Sequence, residues 1–405
     1  MNSTSPVRRW FAKPLSLWLA FIAIHAWLMW LGQHSPSRPL GDVEGIYVLW
    51  MQQLQHGAVV GVNSDWVYPI VALLPLMLAS LAGLNNYVMT WLIMIALVNA
   101  AAFAVLLGSW SKPVLRYRAA WWWLLFLLTL GSIAVGRLDS VTTPLVMIAL
   151  LVAVARPTIA GALIAAAAWI KVWPAALGVL LVAIFRGRPW VIIGALSVTA
   201  GVTLAALIAG AGQHILSFLS NQATRGLQIE APISTPFMWL ASAHAPGFVS
   251  GFDGAMLTFQ VSGPGTDIVA TASTIIQIVL LCAALPAGWM LVRRGHSAIA
   301  LMPRLALLIV LILIVFNKVG SPQFVTWLAA PIVADLVING KRAYPVALMG
   351  LLIAGLTQWL YPFAYDALLT LDPAAVLLLT IRNLCELGFF FFAGIKLLRY
   401  PRSSV

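Results

Sequence analysis

Asp42 is the carboxylate whose position invites chemistry. It stands in Leu40-Gly41-Asp42-Val43-Glu44, shortly after the first long apolar segment. A carboxylate held just outside the hydrocarbon can take the proton of a sugar hydroxyl as a general base. The plainer reading is an ordinary loop acid. Glu44 shares the stretch, and Asp65 closes the same loop in Asp65-Trp66-Val67-Tyr68-Pro69. Trp66 and Tyr68 suit either an interfacial aromatic belt or a stacking surface for a sugar.

Cations and amides supply the complementary half. Lys171 lies in Ile170-Lys171-Val172-Trp173-Pro174, between two apolar half-helices. An ionisable group there is costly and is a functional candidate by default. It reads as a phosphate ligand, or as the partner of a buried carboxylate, or as a snorkelling side chain. Arg225-Gly226-Leu227-Gln228-Ile229-Glu230 puts a cation, an amide and a carboxylate within six residues. Arg225 could grip phosphate, with Gln228 and Glu230 on sugar hydroxyls; a solvated loop is the bland alternative. Lys318-Val319-Gly320-Ser321-Pro322-Gln323 is a donor-rich turn at the start of a helix, either an anion site or a plain interfacial turn. Gly136-Arg137-Leu138-Asp139 adds a charged turn. Arg382 and Glu386, spaced i, i+4, read as an intramembrane ion pair. Arg304 reads as a snorkelling cation. The histidines show no metal-ligand spacing, so no metal and no cofactor is expected.

The elements that position these residues follow from composition. Hydrophobic residues make up 62% of the 405 and charged residues 8%. Soluble domains carry about 25% charged residues. Apolar segments long enough to cross a hydrocarbon core of about 30 Å recur along the chain. The net charge of +12 sits at the ends of these segments, which points to the positive-inside rule rather than to nucleic acid. Cys282 and Cys385 lie within apolar segments and read as small hydrophobes.

Loop charges then set the sides. Arg8, Arg9 and Lys13 put the N-terminus inside. Spans are expected at 14–32, 88–108, 119–136, 140–155, 189–211, 267–292, 297–317, 323–339, 344–362 and from Asp372-Pro373 to Lys396. The stretch 68–84 is expected to be re-entrant or to lie on the surface, because a full crossing would put Lys112, Arg116 and Arg118 outside. The stretch 157–186 begins and ends with inside charges, so it must enter and turn back at Pro174. Val43–Gln55 reads as an interfacial helix. The expectation is one all-α polytopic membrane unit over 1–405, with about ten transmembrane helices plus re-entrant or interfacial helices. Its outer loops are 33–66 and 212–266. Asp42, Glu44, Asp65, Asp139, Glu230, Asp253, Asp267, Asp366 and Asp372 all fall outside.

The order of these pieces resembles the GT-C membrane glycosyltransferases, specifically glycosyltransferase family 87, a group containing polyprenol-phosphate-mannose-dependent mannosyltransferases. The likeness covers most of the chain. It runs through Gly41-Asp42, Tyr47, Tyr68-Pro69, Ala160-Gly161 and Ile170-Lys171-x-x-Pro174. The segments Arg225-Gly226-Leu227-Gln228-Ile229-Glu230 and Lys318-Val319-x-Ser321-Pro322-Gln323, followed by Trp327, are its most specific parts. The resemblance implies inverting transfer from a polyprenyl-phosphate sugar, mannose in this group, to a lipid-linked glycan on the outer face of the plasma membrane. Asp42 would be the base, and Lys171, Arg225 and Lys318 would steady the phosphate leaving group. Arg137 and Asp139 depart from the Gly-Gln-x-Asn turn of relatives, which would alter the sugar or acceptor. Glu44 and Asp65 compete with Asp42 for the role of base. The alternatives are arabinofuranose as the sugar, or a transporter or flippase of lipid-linked sugars. A transporter should need acids at the midplane, and Glu386, already near Arg382, is the main one on offer there.

Overall fold

The computed structural model describes residues 14–108, 113–223, 225–254 and 256–399. Arg8, Arg9, Lys13 and Lys112, part of the charge argument above, lie outside the described residues. Helices dominate, and the described sheet is one antiparallel hairpin, β1 (Val249–Asp253) and β2 (Thr258–Ser262). The protein is an all-α polytopic membrane protein.

Seven described helical segments are long and apolar enough to cross a membrane: Pro14–His34, Leu84–Leu107, Arg188–Ile208, Thr266–Arg293, Ala298–Val315, Pro322–Phe363 and Pro373–Leu398. Pro322–Phe363, at 42 residues, is twice the length of one crossing. It breaks at Gly340 (φ 59°) between the helices Ala329–Asn339 and Tyr344–Gln358. Each of the ten expected spans therefore meets a helix. Pro113–Leu130 is the third, and Asp139–Val152 the fourth. The fourth has only 14 residues, or about 21 Å at 1.5 Å per residue, and is short for a crossing. The stretch expected to be re-entrant contains only Ile70–Ala79 as apolar helix, too short to span.

Burial grades outward. Ala298–Val315 and Ala329–Asn339 form the middle of the bundle and are buried along most of their length. Arg188–Ile208 and Thr266–Arg293 are largely exposed, although their residues are apolar on all sides. Hydrocarbon, not water, suits such a surface.

The stretch 157–186 forms two short helices, Pro157–Ile170 and Pro174–Ile184, that turn back on each other. Gly161 lies against the carbonyl of Val191, and Gly194 against that of Thr158. Further along, the Trp169 indole donates to Thr199 Oγ1 at 3.3 Å. Pro157–Ile170 and Arg188–Ile208 thus run in the same direction, and Pro174–Ile184 must return between them. The break is Lys171, whose backbone is extended (φ −154°, ψ 132°), and Pro174 takes the first position of the next helix.

Two expectations change. Arg304 does not snorkel, because its Nε faces the buried carboxylate of Asp335 at 3.4 Å. The segment 212–266 is not an open loop. It holds short helices and the β hairpin, and residues 227–229 join the edge of β2 through Ile229 N to Phe259 O (3.3 Å) and Val261 N to Leu227 O (3.0 Å).

Candidate active site

A cavity of about 770 Å³ opens where the loop after the first helix, the turn at 136–139, the 225–230 segment, the hairpin and the 320–323 turn converge. That volume is typical of a small-molecule site. Asp42, Asp65, Tyr68, Arg137, Arg225, Gln228, Glu230 and Gln323 line it. Glu44, Asp139, Lys171 and Lys318 do not.

Asp42 begins a π-helical turn, Asp42–Tyr47, which continues as the helix Val48–Gln55. Tyr47 and Met51 anchor that helix in the core, so it packs into the protein more than an interfacial helix would. Asp42 Oδ2 meets Arg137 Nε at 2.9 Å. Arg137 also donates from Nη1 to the carbonyls of Pro39 (2.8 Å) and Gly136 (2.9 Å), and from Nη2 to the Tyr361 hydroxyl (3.5 Å). Burial works against its charge, but the Asp42 carboxylate, together with the smaller contributions of Tyr361, Tyr47 and Tyr68, offsets this and holds the guanidinium pKa above its ordinary value. Arg137 is therefore the fixed partner of the candidate base.

Asp139 is used differently. It is 1% exposed, with Oδ2 2.6 Å from Lys171 Nζ and Oδ1 accepting from the Trp327 indole at 2.6 Å. Lys171 Nζ also lies 5.0 Å from the Phe324 ring centroid. Of the readings open for Lys171, pairing with a buried carboxylate is the one the geometry matches.

The two most specific motifs form one piece of structure. Gln228 N donates to Lys318 O at 3.1 Å, and Ser321 Oγ to Gln228 Oε1 at 3.3 Å. A Cβ on Gly320 would fall 2.2 Å from Ala231 N, so only glycine lets the two backbones meet. Burial and the nearby Arg225 push the Lys318 pKa down. Arg225 itself lines the cavity with a buried Nε that has no hydrogen-bond partner, and no carboxylate lies within ion-pair distance among the described residues. The other lining cations are engaged, Arg38 by Glu44 at 2.9 Å and Arg137 by Asp42. Asp65, at the exposed rim, meets His214 Nδ1 at 2.6 Å.

Tyr68 stands edge-on to Trp50 and Trp66, at centroid distances of 6.0 and 5.6 Å, in an aromatic wall. Burial, followed by the Asp42 charge, pushes its pKa up, so its hydroxyl stays protonated. Sequence reasoning missed Tyr361 and Tyr365, which also line the cavity, with rings 4.8 Å apart in a T-shaped contact. Their i, i+4 spacing at the outer end of a span was the available signal. It also missed the reach of Arg382 to Glu230, which sequence separation hides.

The family model of glycosyltransferase family 87 matches residues 66–249. The match includes Tyr68, Arg137, Asp139, Lys171, Arg225, Gln228 and Glu230, and ends before the 318–323 turn; Asp42 precedes it. No curated protein matches the chain. With that family's domain lying across the cavity and its charged wall, the chain is a membrane protein carrying a glycosyltransferase family 87 domain.

Proposed function

We propose that the cavity transfers a sugar, with inversion, from a polyprenyl-phosphate donor to a lipid-linked glycan on the outer face of the plasma membrane, with both termini cytoplasmic. The sugar is mannose on the family resemblance. The observation that carries the reading is Arg225, a cation on the cavity wall with no carboxylate of its own among the described residues. The residue is half-buried with an unpartnered, buried Nε, and such a cation gains when an anion arrives; the donor's phosphate is such an anion.

In this reading Asp42 accepts the acceptor hydroxyl proton as the oxygen attacks the anomeric carbon. The bond from that carbon to the phosphate oxygen breaks, and its electrons leave with the polyprenyl phosphate. Arg225 steadies the developing charge, so no general acid is required. Arg137 keeps Asp42 oriented. Lys318 lies close enough to Arg225 to strengthen the positive field. Gln323 and Tyr68 offer the sugar an amide and an aromatic edge.

The test is transfer in membranes containing wild type or Asp42→Asn, supplied with labelled polyprenyl-phosphate mannose and lipid extract. Loss of a general base should reduce transfer by about 10²- to 10⁴-fold while donor binding persists. Normal turnover in the variant would remove Asp42 from the role. No transfer by wild type with either mannose or arabinofuranose donors would favour the flippase alternative.

A further inference from the structure

Three ionisable side chains converge at and behind the cavity wall, away from water. The side chains of Glu230, Arg382 and Glu386 are 4%, 3% and 2% exposed. Arg382 Nη1 lies 4.0 Å from Glu230 Oε2 and 3.7 Å from Glu386 Oε1. Its other donors go to neutral acceptors: Nε to Asn383 Oδ1 at 3.0 Å, and Nη2 to the Glu230 carbonyl. Asn383 is held in turn by Thr235 Oγ1 at 2.8 Å. Glu230 Oε2 and Glu386 Oε1 are both buried without a hydrogen-bond partner.

One guanidinium neutralises one carboxylate. A second ionised carboxylate here would be an uncompensated buried charge, which proteins avoid by keeping the group protonated. The two acids therefore titrate as a pair around one proton. Glu230 is the member that reaches the cavity. The groups facing it are Arg382 and Glu386 from the last helix, Tyr365, which hydrogen-bonds its carboxylate, and the more distant Arg137 and Tyr361. Burial outweighs the attraction of Arg382 and pushes the Glu230 carboxyl up to about 7.

We infer that Glu230, Arg382 and Glu386 form a proton-sharing triad that keeps Glu230 neutral, so that the wall offers a donor phosphodiester a hydrogen-bond donor where an ionised carboxylate would repel it. This rests on the phosphate-donor reading above. Glu386 acts only through Arg382 and is a positioning residue. The sign follows directly. A carboxyl is neutral below its pKa, so phosphodiester binding holds at low pH and falls as the pH rises through about 7.

The experiment uses the whole protein in detergent and an isoprenyl methyl phosphodiester, whose single charge is constant across the range. Wild-type affinity should be flat at low pH and fall by up to about tenfold per pH unit above the break. Glu386→Gln leaves Arg382 to Glu230 alone, so the break should move to lower pH. Glu230→Gln keeps a neutral donor and should bind without a break. A wild-type profile flat from pH 6 to 9, or an unmoved break in Glu386→Gln, would overturn the inference. Infrared titration reads the triad separately. A protonated-carboxyl band lost near neutral pH in wild type and absent in Glu230→Gln supports the triad, and no such band sinks it. If the probe binds at no pH, the phosphate-donor reading fails, and the infrared band still decides whether the triad holds its proton.

Discussion

At the scale of single residues, the site uses charge in two ways. Arg137 faces the cavity with its partner Asp42, while Lys171 and Asp139 are closed off beside Trp327. Lys171→Met would leave Asp139 buried and uncompensated, a loss of about 3–5 kcal/mol. Adding Asp139→Asn removes that charge and keeps an oxygen for the Trp327 indole, so the double variant should recover most of the stability. Thermal unfolding in detergent measures this. Donor affinity in the double variant then decides the role of Lys171: an unchanged value makes it structural, and a large loss returns it to the phosphate. Arg137→Gln removes the clamp on Asp42. A base loosened by an ångström can cost on the order of 10² in rate, so kcat should fall more than donor affinity. A parallel loss in both would instead make Arg137 a phosphate ligand.

At the scale of elements, the position of the inward pair depends on two glycines. A Cβ at Gly161 or Gly194 would lie 2.0 Å from a backbone carbonyl of the facing helix, and backbone cannot rotate away as a side chain can. Gly194→Ala should therefore push the two helices apart and cost about 1–3 kcal/mol. Gly201→Ala, on the same helix with nothing within 4 Å, is the control and should be neutral or stabilising. Equal melting temperatures for the two variants would refute the close packing. Elements of this kind were legible where the signal is local. Pro174, the expected turning point of the stretch 157–186, opens its second helix, and Asp372, the expected start of the last span, caps it by accepting from Ala374 N (2.9 Å) and Ala375 N (3.1 Å). Contacts between elements were not legible. Arg304 meets Asp335, and Arg382 meets Glu230, across separations that periodicity does not encode. The Asp42 and Arg225 motifs stood out in the sequence, but that Arg137 holds one and Gly320 abuts the other's segment is a property of the folded backbone.

At the scale of the whole molecule, the side assignment proposed above puts charge and cavity at opposite ends. Arg116 and Arg118 lie in the first two turns of Pro113–Leu130, and Gly187, between Arg186 and Arg188, lies against Pro157, next to Arg156. Val114, in the first turn of Pro113–Leu130, marks the basic end. Ser64, in the exposed loop before the aromatic wall, marks the cavity end. The side assignment requires an odd number of crossings between them, and Ile70–Ala79, too short to cross, leaves Leu84–Leu107 to supply it. Single cysteines at these positions, with Cys282 and Cys385 replaced, test this in intact cells with an impermeant thiol reagent. Ser64→Cys should label at once, and Val114→Cys only after the membrane is permeabilised. Labelling of both without permeabilisation would mean that 70–79 crosses with its flanks after all, which would reverse the side of every later loop. Because the 225–230 segment and the 320–323 turn line the same cavity as Asp42, such a reversal cannot hold for that cavity as built, and the packing between them would have to be wrong as well.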